Sequence, residues 1–196
     1  MSAMPSDQLV LASQSPRRAQ LLQEIRIKFR IEPANIDESV RESEPAVEYV
    51  QRMAREKAEF IQSHDLPVLA ADTIVVFEGV IFGKPVDQTH AKQMLGLLSG
   101  KTHKVLTALC VIRGSDIYSH LSTSSVRFRK LSRDEIMSYW DTGEPRDKAG
   151  AYGIQGIGGT FVENIQGSYS SIMGLPLCET ELLLKQVGLD TWTHRV

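Results

Sequence analysis

The chain has 196 residues, 42% hydrophobic and 23% charged, with 22 Lys plus Arg set against 24 Asp plus Glu for a net charge of −2. That length suits one ordinary soluble domain over residues 1–196, or two small ones sharing a cleft, with enough chain to bury a core. Charge this close to balance excludes a protein that holds nucleic acid by neutralising phosphates over a whole face, and leaves room only for a local cationic pocket.

Taken in chain order, strands and helices alternate. Residues 9–13 (LVLAS) read as a short buried strand running into Ser15-Pro16, with Ser as N-cap and Pro as first helical residue. A helix through Ala19, Leu21, Leu22 and Ile25 follows, and KFRIEPA then alternates as a strand does. Glu44-Pro45 opens a second helix, with Val47, Val50, Ala54, Ala58 and Ile61 at helical spacing. The β-rich run LPVLAADTIVVFEGVIF contains a Glu78-Gly79 turn and so predicts a hairpin. Residues 87–99 form a third helix with Met94, Leu95 and Leu98 inward and Gly100 at its stop. A longer hairpin turns at Gly114-Ser115-Asp116. Ser132-Arg133-Asp134-Glu135 has the form of a capping box opening a fourth helix to about Gly143. Residues 144–174 hold seven glycines, and an amphipathic helix over 177–187 ends the pattern. Strand-helix-strand units mixed with long hairpins predict an α/β protein with a mixed sheet.

Cys110 and Cys178 lie in apolar runs without CxxC spacing and read as small buried hydrophobes in a reducing compartment. No stretch approaches the roughly 18 to 20 apolar residues of a membrane span. MSAMPSDQ lacks the basic and apolar regions of a signal peptide, so the expected location is the cytoplasm. The five histidines show no metal-ligand spacing. No GxSxG elbow or Cys and His pair suggests covalent catalysis.

Three stretches carry candidate chemistry. Ser13-Gln14-Ser15-Pro16-Arg17-Arg18 stands where a strand ends and a helix begins. Two guanidiniums and two hydroxyls there make a phosphate cradle, and positive side chains oppose the helix dipole unless an anion sits between them. The alternative is that Arg17 and Arg18 are solvated surface charges. Asp72, inside VLAADTIVV, must bear a desolvation cost and so faces a polar cleft or has cationic partners, as a general base or metal ligand would; the alternative is an Asp capping a turn between two shorter strands. Lys84, in FGKP one hairpin later, is expected beside Asp72 on the neighbouring strand. The third stretch, DKAGAYGIQGIGG, matches neither a P-loop nor a dinucleotide fingerprint. Its glycines let the backbone pass close to something flat or phosphorylated, and Gln155 can donate to and accept from a base edge; a mobile surface loop is the other reading. Asp37-Glu38 and Lys57 read as ordinary charged positions. Any metal would be hard and oxygen-ligated.

SQSPRR, REKA, AADT, GKP, LSGKTHKV, DKAGAYGIQG and GSYSSIMGLP occur in that order, and the set resembles the Maf family of nucleoside triphosphate pyrophosphatases over about residues 9–188. DKAGAYGIQG resembles the subgroup acting on dTTP and UTP. The sister subgroup acting on 7-methyl-GTP carries a bulky residue where Arg17 stands and a glutamate where Gln155 stands. The resemblance implies a long twisted mixed sheet flanked by helices, two lobes around a deep cleft like that of the inosine triphosphate pyrophosphatases, a homodimer, and hydrolysis of a nucleoside triphosphate to monophosphate and pyrophosphate with Mg²⁺ or Mn²⁺. It assigns Asp72 as proton acceptor, Ser13, Arg18, Lys57 and Lys84 as phosphate ligands, and Glu38 with Asp72 as metal ligands. Arg17, Thr73 and Gln155 would set base specificity. Modified pyrimidine nucleotides are further candidate substrates. The competing functional readings are a 7-methyl-GTP-type pyrophosphatase and a nucleotide-binding regulator of septum formation.

Overall fold

The computed structural model describes residues 7–61 and 65–193. Seven strands, β1 (Leu9–Leu11), β2 (Phe29–Ile31), β3 (Val68–Phe77), β4 (Val80–Phe82), β5 (Thr102–Arg113), β6 (Asp116–Phe128) and β7 (Val162–Gln166), form one sheet in the order β2-β1-β3-β5-β6-β7, with β4 paired to β3. β1 runs parallel to both β2 and β3, whereas β4 is antiparallel to β3 and β7 to β6, so the sheet is mixed as predicted. The helices are α1 (Pro16–Glu24), α2 (Ala46–Phe60), α3 (Gln88–Leu98), α4 (Arg133–Asp141), α5 (Tyr169–Met173) and α6 (Leu177–Gln186). No helix among the described residues is long and apolar enough to cross a membrane.

The described residues divide into two compact units. The first holds residues up to Asp72, 108–121 and those from 174 onward; the second holds 73–107 and 122–173. In the first, β1 is wholly buried, as a parallel strand with partners on both sides must be. Helix α2 buries Tyr49, Val50, Met53, Ala54, Lys57 and Ala58, a stripe at helical spacing that carries one lysine inward. Val47, expected on that face, is 42% exposed because it is the second residue of the helix, ahead of the first buried position at Tyr49. Cys110 is buried but Cys178 is exposed, since α6 turns Thr180, Leu183 and Leu184 inward and leaves its first turn outside.

The second unit packs Leu95, Leu98, Val105, Val126 and Phe128 with Tyr139, Tyr152 and Phe161. Phe128 meets the rings of His103, Tyr152 and Phe161 edge to face, the favoured arrangement of aromatic quadrupoles. Burial pushes His103 down to about 4, so the ring is neutral at physiological pH, and its Nε2 pairs with the Tyr152 hydroxyl at 2.8 Å. Both hairpins are where the sequence put them. Glu78 and Gly79 have φ of 49° and 82°, the primed turn whose twist matches its strands. Helix α3 is capped by Asp87, which accepts from the His90 N–H at 2.7 Å.

At α4 the capping box is complete. The Ser132 hydroxyl accepts from the Glu135 N–H and the Glu135 carboxylate from the Ser132 N–H. Ser132→Ala is therefore expected to lower stability by about 1 kcal/mol, measured by urea unfolding.

Three local expectations are corrected. Ser15 is the N-cap of α1 by position but its side chain makes no capping bond; Ser13 Oγ instead accepts the Ser15 N–H at 3.2 Å. Lys84 lies in the loop after β4, because the β3–β4 ladder ends at Val75↔Phe82, and so is not on a neighbouring strand. The glycine-rich stretch holds three short 3₁₀ turns, Glu144–Asp147, Ala149–Ala151 and Ile157–Phe161, followed by β7 and α5.

Candidate active site

Strand β1 ends at Leu11, and the chain turns at Ser13 before α1 begins at Pro16. Ser13 and Arg18 are both buried, at 6% and 9% exposure, so Arg18 is not the solvated charge of the alternative reading. Its Nη1 donates to Ser13 Oγ and its Nε to the Gly174 carbonyl, each at 2.9 Å. Ser13 Oγ thus accepts twice, from the Ser15 N–H and from Arg18. A hydroxyl has two lone pairs and one proton, so what Ser13 has left to offer is a donor. A donor beside a guanidinium at the start of a helix is suited to an anionic oxygen. Burial pulls the Arg18 guanidinium down while Asp72 raises it; Arg17 lowers it further, and Glu38 again raises it. Arg17 is half-buried on the same first turn.

Asp72 is the fifth residue of an unbroken ten-residue strand, which excludes the turn-capping alternative. It is 8% exposed, and Lys57 Nζ donates to its Oδ1 at 2.7 Å. Lys57 comes from the inward stripe of α2, where Ala54 and Ala58 leave room for it. Its ammonium also meets Glu38 Oε1 at 2.8 Å, so one cation bridges two carboxylates. Burial drives the Asp72 carboxyl above the usual aspartate range, and the opposing pull of Lys57 and Arg18 does not fully offset it. A buried carboxylate with a raised proton affinity and cationic neighbours is a competent proton acceptor.

Glu38 sits in the long connection before α2, and that connection is fastened from the helix. Arg52 binds Glu44 in fork fashion at 2.5 and 2.7 Å and donates to the Ser39 carbonyl at 3.0 Å. The Arg52 bond holds the Glu44 carboxyl down to about 2. The Tyr49 hydroxyl donates to the Glu38 carbonyl at 2.9 Å, and burial, with Asp72 and Glu38 nearby, pushes Tyr49 up to about 12. Asp37 closes the turn by accepting from the N–H and hydroxyl of Ser39. Among the described residues, Ser13, Arg18, Glu38, Lys57 and Asp72 are therefore one bonded or electrostatically coupled group within the first unit.

The second unit carries the remaining candidates. Lys84 and Gln155 are exposed. Thr73 Oγ1 lies 3.0 Å from Thr107 Oγ1, and the Thr107 hydroxyl donates to the Ser171 carbonyl at 2.8 Å.

Sequence reasoning missed Glu144 and Tyr139. The Glu144 carboxylate accepts from the Ile157 N–H at 2.9 Å, the Gly158 N–H at 3.0 Å and the Tyr139 hydroxyl at 2.8 Å, while Tyr139 accepts from the Gly153 N–H at 3.1 Å. Gly156 and Gly158 leave room for these contacts. A Cβ at Gly156 would collide with the Glu144 carboxylate, and one at Gly158 would stand 2.6 Å from the Tyr139 hydroxyl. The available signal was an acidic residue and a tyrosine on either side of a turn, just ahead of a run of glycine N–H donors.

A model of the family described as Maf-like protein matches residues 8–187. A dTTP/UTP pyrophosphatase of Hahella chejuensis is 53% identical over 190 residues, spanning 94% of this chain and 94% of that protein. One from Methylobacillus flagellatus is 52% identical over 185 residues, spanning 92% and 93%. Among solved structures, a HAM1 protein from Coxiella burnetii matches with a TM-score of 0.51 at 17% identity, over 92% of this chain and 100% of that one, a likeness of fold alone.

Proposed function

The chain belongs to the Maf family, and from that premise we propose that it hydrolyses dTTP and UTP to the monophosphate and pyrophosphate. The observation that carries this reading is the buried Asp72 carboxylate held by Lys57, on the unit where Ser13 and Arg18 offer donors to an anion. Water attacks the α-phosphorus, the bond from that phosphorus to the bridging oxygen breaks, and the proton of the attacking water passes to Asp72. The departing pyrophosphate gains negative charge, which donors already in place stabilise without reorganising. Ser13 contributes its O–H, Arg18 its guanidinium, and Lys57 the one N–H that its two carboxylates leave over. Lys84 is assigned a phosphate oxygen and Arg17, Thr73 and Gln155 the base preference. The Gln155 amide matches the O4 and N3–H edge shared by thymine and uracil.

Among the described residues no group of three or more His, Cys, Asp or Glu is gathered to hold a metal. Glu38 and Asp72 are nevertheless brought near one another by the Lys57 ammonium between them, and hard carboxylate donors of this kind suit a Mg²⁺ or Mn²⁺ that arrives on substrate oxygens. Those two residues would hold it, and its chemistry there is to neutralise charge on the polyphosphate. The cytoplasmic location and the homodimer implied by the family resemblance are part of the same proposal.

The test is a panel of common and modified nucleoside triphosphates with each metal, reading pyrophosphate against orthophosphate. Pyrophosphate from dTTP and UTP is the expected result. Preference for 7-methyl-GTP would overturn the base assignment, and tight UTP binding without turnover under either metal would point to a regulator.

A further inference from the structure

Gln155 is exposed, in a turn between Gly153 and Gly156. A side chain that must discriminate bases by hydrogen bonding needs a fixed backbone, because an amide that wanders by an ångström can satisfy several base edges. What fixes this backbone is not the turn itself, whose internal bonds are few: Gly156 N–H to the Gly153 carbonyl at 3.3 Å and Gly159 N–H to the Gly156 carbonyl at 3.0 Å. The flanks are held from outside by two side chains bonded to each other. Tyr139 takes the N–H of Gly153 on one flank, and Glu144 takes those of Ile157 and Gly158 on the other. The Tyr139 hydroxyl has one proton and gives it to Glu144, so the pair forms a single acceptor unit spanning both sides of Gln155.

The pair is itself rigid. Tyr139 is 2% exposed and packs edge to face on Phe161 at 4.9 Å between centroids. The Glu144 carbonyl accepts from Lys148 Nζ at 2.7 Å. Three donors on one carboxylate outweigh the burial that acts to raise it, and the Glu144 carboxyl is held below its usual value.

We propose that Glu144 and Tyr139 are positioning residues for base recognition, a carboxylate-phenol clamp that sets where the Gln155 amide stands and so contributes to pyrimidine selectivity. The proposal rests on the reading of Gln155 as the residue that meets the base. Neither residue acts on the reacting phosphate, so the effect belongs in KM and in the ratio between substrates more than in kcat. Glu144→Gln replaces one acceptor oxygen by an NH₂ that opposes a backbone N–H. Tyr139→Phe keeps the ring on Phe161 and orphans the Gly153 N–H alone. A buried donor left unpaired loosens the hold on the turn.

The experiment measures kcat and KM for UTP, dTTP and CTP in wild type, Glu144→Gln, Tyr139→Phe and Gln155→Ala, with thermal unfolding followed alongside. In Glu144→Gln, KM for UTP is expected to rise about tenfold, with kcat within a fewfold and the preference for UTP over CTP reduced. Tyr139→Phe is expected to shift the same quantities less, and it decides the matter if Glu144→Gln does not fold. If Gln155→Ala loses base preference while both clamp variants keep it, the clamp is not a positioning device. If Gln155→Ala keeps its base preference, the reading of Gln155 fails first and the clamp falls with it.

Discussion

Asp72→Asn is expected to lower kcat for UTP and dTTP hydrolysis by about 10³-fold, within the range that a positioned general base supplies, while nucleotide affinity changes only a fewfold. The asparagine oxygen can still accept from Lys57, so the strand, the ammonium and the Ser13–Arg18 pair keep their places. What is lost is the capacity to take a proton. Pyrophosphate release measures the first quantity and calorimetric titration of nucleotide the second; equal turnover in the two proteins would remove Asp72 from the mechanism. The same carboxyl gives the pH dependence a sign. The base must be deprotonated, and burial raises its proton affinity above that of an ordinary aspartate. Activity is therefore expected to fall as pH drops through a value higher than the usual aspartate pKa of 3.8, and this acid limb should be missing from the residual activity of the variant.

Lys57→Met should produce the largest loss of stability. Lys57 is 7% exposed and bridges Asp72 and Glu38. Methionine fills similar space but leaves Asp72 buried with Arg18 as its remaining neighbouring cation and Glu38 as a neighbouring anion. Breaking a buried pair by removing one partner costs about 3–5 kcal/mol. The sign of the pH effect follows from linkage: without Lys57 the folded-state affinity of Asp72 for a proton rises further above its unfolded value. The penalty is then greatest above the folded pKa and shrinks as pH falls through it, because a protonated Asp72 no longer needs a cation. Urea unfolding at neutral and at mildly acid pH checks this; a gap from wild type that stays constant between them would show that Lys57 stabilises by packing alone.

The sequence made some of this structure legible and concealed other parts for physical reasons. Met94, Leu95 and Leu98 announce the inward face of α3 because burial and helical period agree there, and Ser132 with Glu135 announces α4 because both capping partners are local. β7 went unseen. Its residues, VENIQ, do not alternate in polarity, and what makes them a strand is the edge of β6, which supplies the partners Val126↔Ile165 and Arg127↔Asn164. In the candidate site, Asp72 betrayed itself as a charge inside an apolar run. Lys57 did not, because an amphipathic helix accepts a lysine almost anywhere; only its placement on a stripe of alanines opposite Asp72 makes it unusual. Glu144 was hidden for the opposite reason. Its partners are backbone N–H groups, which every residue has, and the glycines that admit it read as flexibility until the carboxylate is seen between them.

The contact between Thr73 and Thr107 fixes a polarity. Thr107 has a single hydroxyl proton and gives it to the Ser171 carbonyl, which can only accept. In the bond between the two hydroxyls Thr73 must then be the donor, so that toward any further partner its oxygen presents lone pairs alone. With Thr73 reading the base as proposed, the base has to bring an N–H to it. Thymine and uracil carry one at N3, where neutral cytosine carries a lone pair, and two lone pairs repel. The direction of one proton, set inside the second unit, would thus lean the same way as the Gln155 amide, toward pyrimidines that carry a proton at N3.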